Sequence, residues 1–152
     1  MLSDDDINLL VAAHALELAA RDIYAIVVSR KSRSDDEQGL LALMHSHHVA
    51  YEQTINGVLG KRAATERNNE AYNKFFVLLS DASKLWETLL ELENTAIATH
   101  TTIISRLTSA KNASLLASIT TIEARHAAML ATRISTSLDL ALENTAQSLV
   151  TQ

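Results

Sequence analysis

The chain has no cysteine, which excludes disulfides, thiolate metal sites and cysteine-held iron–sulfur clusters. That absence leaves the redox compartment open. Proline is also missing, and there are only three glycines in 152 residues. A β-sandwich of this length needs many turn residues, so their scarcity points instead to long helices joined by few connections. With 13 Lys and Arg against 18 Asp and Glu, the net charge is −5 and no basic stripe is visible, so nucleic acid is not an expected partner. No apolar run approaches the ~20 residues that span a bilayer, and no membrane partner is expected. The acids Asp4, Asp5 and Asp6 beside Met1 are unlike an export signal. The cytoplasm is therefore the default location, unless such a signal was removed. There is no Gly-rich phosphate loop, and the serines occur in no strand–turn–helix setting suited to a nucleophile.

What remains is about one domain's worth of chain, residues 1–152, rich in helix formers. Ser3 before three acids reads as a helix start, with acid where the helix dipole favours it. That first helix runs to about residue 30, and residues 31–34 connect it to the next. Ser34 with Asp35, Asp36 and Glu37 repeats the start signal for a second helix ending near Gly60. A polar connection over 61–69 and a short amphipathic piece over 70–79 lead to a third long helix, from about 84 to 107. Residues 108–112 turn the chain into a fourth, from about 113 to at least 142. The last ten residues continue it, bend back or fray. The arrangement expected is all-α, an up-down four-helix bundle with a longer crossover between the second and third helices.

Spacings of three and four along each helix define the stripe that should face inward. The first reads Ile7, Leu10, His14, Glu17, Arg21, Tyr24, Val28, and the second Leu41, His45, His48, Glu52, Ile55, Leu59. The third reads Trp86, Leu89, Glu93, Ile97, His100, Ile104, Leu107, and the fourth Leu116, Ile119, Glu123, His126, Leu130, Arg133, Ser137, Leu140. Each is apolar at its ends and polar in the middle. A buried carboxylate without a partner costs several kcal/mol, so four acid-bearing stripes require compensation. Metal ions supply it, because Glu and His are the ligands available for Fe, Mn or Zn when thiolates are absent. Glu123 and His126, three apart on one face, can point at the same ion. A buried ion-pair network of Glu17, Arg21, Glu93 and Arg133 is the rival reading. Trp86, Phe75 and Phe76 are expected in the core and His47 on the surface, while His14, His100 and Tyr24 either orient ligands or serve the core.

Three stretches, residues 15–18 through Tyr24, residues 92–96, and residues 122–128 with the sequence Ile-Glu-Ala-Arg-His-Ala-Ala, resemble the ferritin-like superfamily, in particular small bacterial members that do not form cages. The resemblance extends from about Ile7 to Arg133. It implies a di-iron carboxylate type of centre, with one Glu from each of two helices and a Glu-x-x-His pair from each of the other two. By that likeness Glu17 and Glu93 are the single glutamates, Glu123 and His126 the intact pair, and His48 the second pair's histidine. His45 stands where that pair's glutamate belongs. An imidazole cannot bridge two ions as a carboxylate does, and three carboxylates do not balance two divalent ions. Glu52, one turn further on, or a hydroxide would make up the charge; otherwise the centre holds one ion, or two with unequal affinity.

The function implied is Fe or Mn redox chemistry with dioxygen or peroxide, of ferroxidase or peroxidase type, with one or two ions per chain and Zn as a further option. Two other readings stand beside it: a structural ion without catalysis, and a metal-free bundle that associates with a partner. A homodimer is compatible with all three.

Overall fold

A computed structural model of the chain describes residues 2–31, 33–134 and 137–151. The regular structure among them is entirely helical. The elements are α1 (Asp4–Ser29), α2 (Asp35–Leu59), α3 (Asn69–Leu78), α4 (Leu85–Arg106), α5 (Ala110–Ala131) and α6 (Leu138–Leu142), with 3-10 turns at Gly60–Arg62 and Ala82–Lys84. Among the described residues, no helix is long and apolar enough to cross a membrane. Ser32, inside the expected first connection, and Ser135 and Thr136, inside the expected fourth helix, lie outside the described residues.

The starts follow the capping signals. The Ser3 hydroxyl accepts from the Asp6 N–H at 3.1 Å, Ser34 from Glu37 at 3.3 Å and Ser109 from Asn112 at 3.4 Å. At the end of α2, Gly60 adopts φ 57 and sends its N–H to the Asn56 carbonyl, a left-handed backbone that glycine takes without strain. The fourth long helix is shorter than its apolar pattern suggested: it ends at Ala131, not beyond 142. Thr132 returns its hydroxyl to the Met129 carbonyl, and Arg133 and Ile134 bond back only three residues. The Ser- and β-branched-rich run from 132 to 137 favours such local bonds over helix.

The chain forms two compact units, one of Met1–Leu9 with Val77–Gln152 and one of Leu10–Phe76. In the first, α4 packs on α5, with Leu85, Leu89, Leu92, Ala96 and Ile103 buried on α4 and Leu116, Ile119, Ala127 and Leu130 on α5. The described tail bends back along α4: the Leu149 N–H bonds the Thr99 hydroxyl and the Asn144 side chain bonds the Asn94 carbonyl. In the second unit, Leu10, Ala13, Leu16, Ala20, Ile23, Tyr24 and Val27 of α1 and Leu41, Met44, Ile55 and Leu59 of α2 are buried.

Several stripe positions depart from expectation. On α4 the buried face after Glu93 runs through Ala96, His100 and Ile103, leaving Ile97, Ile104 and Leu107 half-buried. Trp86 is half-buried, with the Arg133 guanidinium 5.7 Å from its ring centre. Phe76 is 47% exposed, and only Phe75 of that pair is core. On α1, Arg21 and Val28 are half-buried. Beyond α5, Arg133, Ser137 and Leu140 are exposed.

Candidate metal centre

Each unit carries its own buried carboxylate–imidazole pairs. In the Leu10–Phe76 unit, Glu17 of α1 and His48 of α2 meet at 2.8 Å through Oε2 and Nδ1, and neither side chain is exposed. The imidazole is clamped by rings: Tyr24 stacks on it at 5.0 Å and Tyr51 meets it edge-on at 5.6 Å. Tyr24 therefore packs the histidine, and its hydroxyl points to Met44 Sδ.

In the other unit the pairing across α4 and α5 is reciprocal. Glu93 of α4 lies 3.2 Å from Nδ1 of His126 on α5, and Glu123 of α5 lies 3.0 Å from Nδ1 of His100 on α4. All three glutamates are fully buried. His100, expected on the inward stripe either to orient ligands or to serve the core, is thus the partner of Glu123; its position two turns after Glu93 placed it inward but did not say which acid it meets.

Glu52 is engaged elsewhere. Arg21 donates to its Oε1 at 3.1 Å, and its Oε2 lies 3.5 Å from His14 Nε2. Arg21 also holds Asp22 at 2.9 Å, so the guanidinium serves these two acids. His45, three residues before His48, is half-buried. Burial first, then the proximity of His48 and Arg21, holds its imidazole below the ordinary value against the pull of Asp22, so it is neutral at neutral pH. His47, expected on the surface, is half-buried with its ring 6.2 Å from Tyr51.

The donor set suits a metal. Two donors at right angles on one ion with bonds of about 2.1 Å stand about 3 Å apart, and the paired atoms are 2.8, 3.0 and 3.2 Å apart. The buried Glu and His side chains include groups that could hold a metal ion. They are hard or intermediate donors with no thiolate, the set that Fe, Mn and Zn accept.

All-helical regular structure and buried carboxylate–imidazole groups that could hold a metal ion define the class of protein. A family model described as ferritin-like domain matches residues 5–136, and the chain belongs to that family. No similar curated protein and no similar solved structure was found.

Proposed function

We propose that residues 1–152 form one ferritin-like domain, an up-down four-helix bundle of α1, α2, α4 and α5 with α3 on the crossover, and that it binds one or two metal ions. Glu17, His48, Glu93, Glu123 and His126 are the ligands on this reading, as the family pattern assigns them. The observation that carries it is the set of three fully buried carboxylates, of which Glu17 and Glu93 each have the nitrogen of a proposed ligand imidazole, His48 and His126, at 2.8 and 3.2 Å. Iron is favoured and manganese is the alternative. Either ion would supply one-electron chemistry toward dioxygen or peroxide.

The chain's own residues have separate tasks. The three fully buried carboxylates offset the ionic charge. His48 and His126 complete the donor set, and Tyr24 and Tyr51 fix the ring plane of His48. His100 orients Glu123, as outer partners of ligands commonly do. His45 and Glu52 are weaker candidates for ligation. His45 adds no negative charge, and Glu52 would have to leave Arg21.

A structural ion without catalysis is the second reading. It is favoured by His45, an imidazole where the family places a bridging carboxylate. Elemental analysis of protein purified without chelator tests the metal: iron or manganese near one or two per chain is expected, and metal-free protein would overturn the proposal. Consumption of dioxygen or peroxide with Fe(II) then separates redox chemistry from a structural role.

A further inference from the structure

Among the chain's asparagines, Asn56 alone is followed by a glycine. The pair lies in the last turn of α2, which ends at Leu59, and both residues are exposed. A Cβ added at Gly57 would meet nothing within 4 Å, so no neighbouring element packs against this side of the turn. Asn56 also borders a polar pocket of about 560 Å³ shared with Arg21 and Glu52, where solvent reaches it.

The side-chain amide of an asparagine is open to attack by the main-chain nitrogen that follows it. Glycine offers the least hindered such nitrogen, because it has no Cβ. A regular helix blocks the attack by directing that nitrogen along the axis, toward the carbonyl four residues back. The turn that imposes this geometry on Gly57 is weak. Its interior holds Gly57 itself, of a residue type that favours helix less than any other except proline. It closes on Gly60 at φ 57, whose N–H bonds the Asn56 carbonyl. On either side the chain is pinned. Ile55 and Leu59 are buried, the Ala63 N–H bonds the Gly60 carbonyl at 3.1 Å, and the Ala64 N–H bonds His14 Nδ1 at 3.1 Å. Opening is thereby confined to the exposed side of one turn, a low-cost local event.

We propose that Asn56 is a deamidation site gated by the opening of this turn. The freed Gly57 nitrogen attacks Cγ of Asn56; the new N–Cγ bond closes a five-membered imide, and the side-chain amide leaves as ammonia with the proton from Gly57. Water then opens the ring at either carbonyl, giving aspartate or isoaspartate, so one water enters and one ammonia leaves. In the isoaspartyl product the main-chain carbonyl of residue 56 has become a free carboxylate, and the Gly60 N–H no longer closes a regular turn on it. A negative charge at a helix C-terminus is itself unfavourable, so either product keeps the turn open and marks older molecules. The reaction needs no metal and stands apart from the reading of the metal centre.

The test follows the full chain, chelator-treated and held at mildly alkaline pH, by mass spectrometry of the peptide that carries residues 56 and 57. That peptide should gain the mass that separates an acid from an amide and split into aspartyl and isoaspartyl forms. The chemistry is slow beside opening and closing, so its rate tracks the open population. Gly60→Ala keeps the Asn-Gly pair but strains the closing residue, and should quicken the reaction about fivefold. Gly57→Ala should slow it by at least about fivefold, since a side chain both hinders the nitrogen and firms the helix. Asp6→Asn, which loosens the contact of α1 with Thr108, should leave the rate unchanged. A peptide that gains no mass overturns the proposal, as does a Gly60→Ala rate equal to the parent's. Equal acceleration by Asp6→Asn would mean that the reaction runs from the unfolded chain, and would overturn the local gate.

Discussion

A carboxylate with no exposed surface is tolerated only if something holds its charge, and among the buried acids that holder differs. Glu17, Glu93 and Glu123 each face an imidazole nitrogen at 2.8–3.2 Å, whereas Glu52 faces a guanidinium. An imidazole can give way to a metal by sharing it; an arginine competes with it. Glu123→Ala should therefore lower the bound metal per chain to less than half, and Glu52→Ala should leave it nearly unchanged. Equal metal contents for the two variants, measured by elemental analysis, would contradict the assignment. His45 offers the converse test. His45→Glu restores the family's carboxylate and should raise bound Fe or Mn towards two per chain. In chelator-treated protein the same change should lower the melting temperature, because another acid joins a region already rich in them. A variant that binds no additional ion and melts like the parent would show that residue 45 does not serve the centre.

At the scale of elements, the connections are held by a few specific contacts. Asp6 reaches from α1 to the turn before α5, where it accepts from the Thr108 N–H at 2.8 Å, the Ser109 N–H at 3.0 Å and the Thr108 hydroxyl at 3.0 Å. The Thr108 N–H foremost, with help from the Ser109 N–H and the Thr108 and Ser3 hydroxyls, holds this carboxyl below the usual carboxylate range against the effect of burial. Its folded pKa is depressed, so the stability it contributes is present above the unfolded value and is lost as the pH falls through the folded one. Asp6→Asn should lower the melting temperature by a few degrees at neutral pH, and the gap to the parent should close below about pH 4. A gap that is constant with pH would mean that charge is not what Asp6 provides. Two glycines of one segment give opposite expectations. A side chain at either would meet nothing within 4 Å, so only backbone conformation decides. Gly60→Ala, at φ 57, should cost about 1 kcal/mol, while Gly57→Ala, inside α2, should stabilise by about 0.5–1 kcal/mol. Urea melts of the two variants check both signs.

The scale of elements also shows what was legible in the chain. The scarcity of proline and glycine was enough for an all-helical protein, and Ser3 and Ser34 marked their helices because a capping hydroxyl acts within three residues. The burial of Glu17, His48, Glu93, Glu123 and His126 was readable because an acid inside an apolar stripe is a local contradiction that folding must resolve. Pairing was not readable. Whether Glu123 meets His100, or His14 turns to Ala64 and Glu52, depends on how neighbouring helices rotate about their axes, which spacing along one helix does not determine. The stripe on α4 failed at one step: it was read with two successive spacings of four, Leu89–Glu93–Ile97, whereas the buried face keeps alternating four and three through Leu89, Glu93, Ala96, His100 and Ile103. The end of α5 was missed because apolar periodicity continues past Ala131 while the hydroxyl-rich run after it favours local bonds.

For the whole molecule, burying several carboxylates and imidazoles has a consequence that no single variant isolates. In metal-free protein these groups offset one another through hydrogen bonds such as Glu17 with His48 and Glu93 with His126, and every such pair carries a desolvation cost. An ion that binds the folded chain and not the unfolded one removes part of that cost and stabilises by RT ln(1 + [L]/Kd), about 2.7 kcal/mol at a hundredfold excess over Kd. For a chain of this length that corresponds to a rise in Tm of roughly 5–10 °C. Chelator-treated protein should therefore melt at a temperature that climbs with added Mn(II), or with Fe(II) under anaerobic conditions, and that shows little response to Mg(II), which prefers oxygen donors and keeps its waters. Glu123→Ala should flatten the climb, since its remaining donors are too few to hold the ion. A parent melt that is the same with and without Mn(II) or Fe(II) would leave the buried carboxylate–imidazole pairs with a purely structural role, and the metal-free reading of the chain would then be the one to pursue.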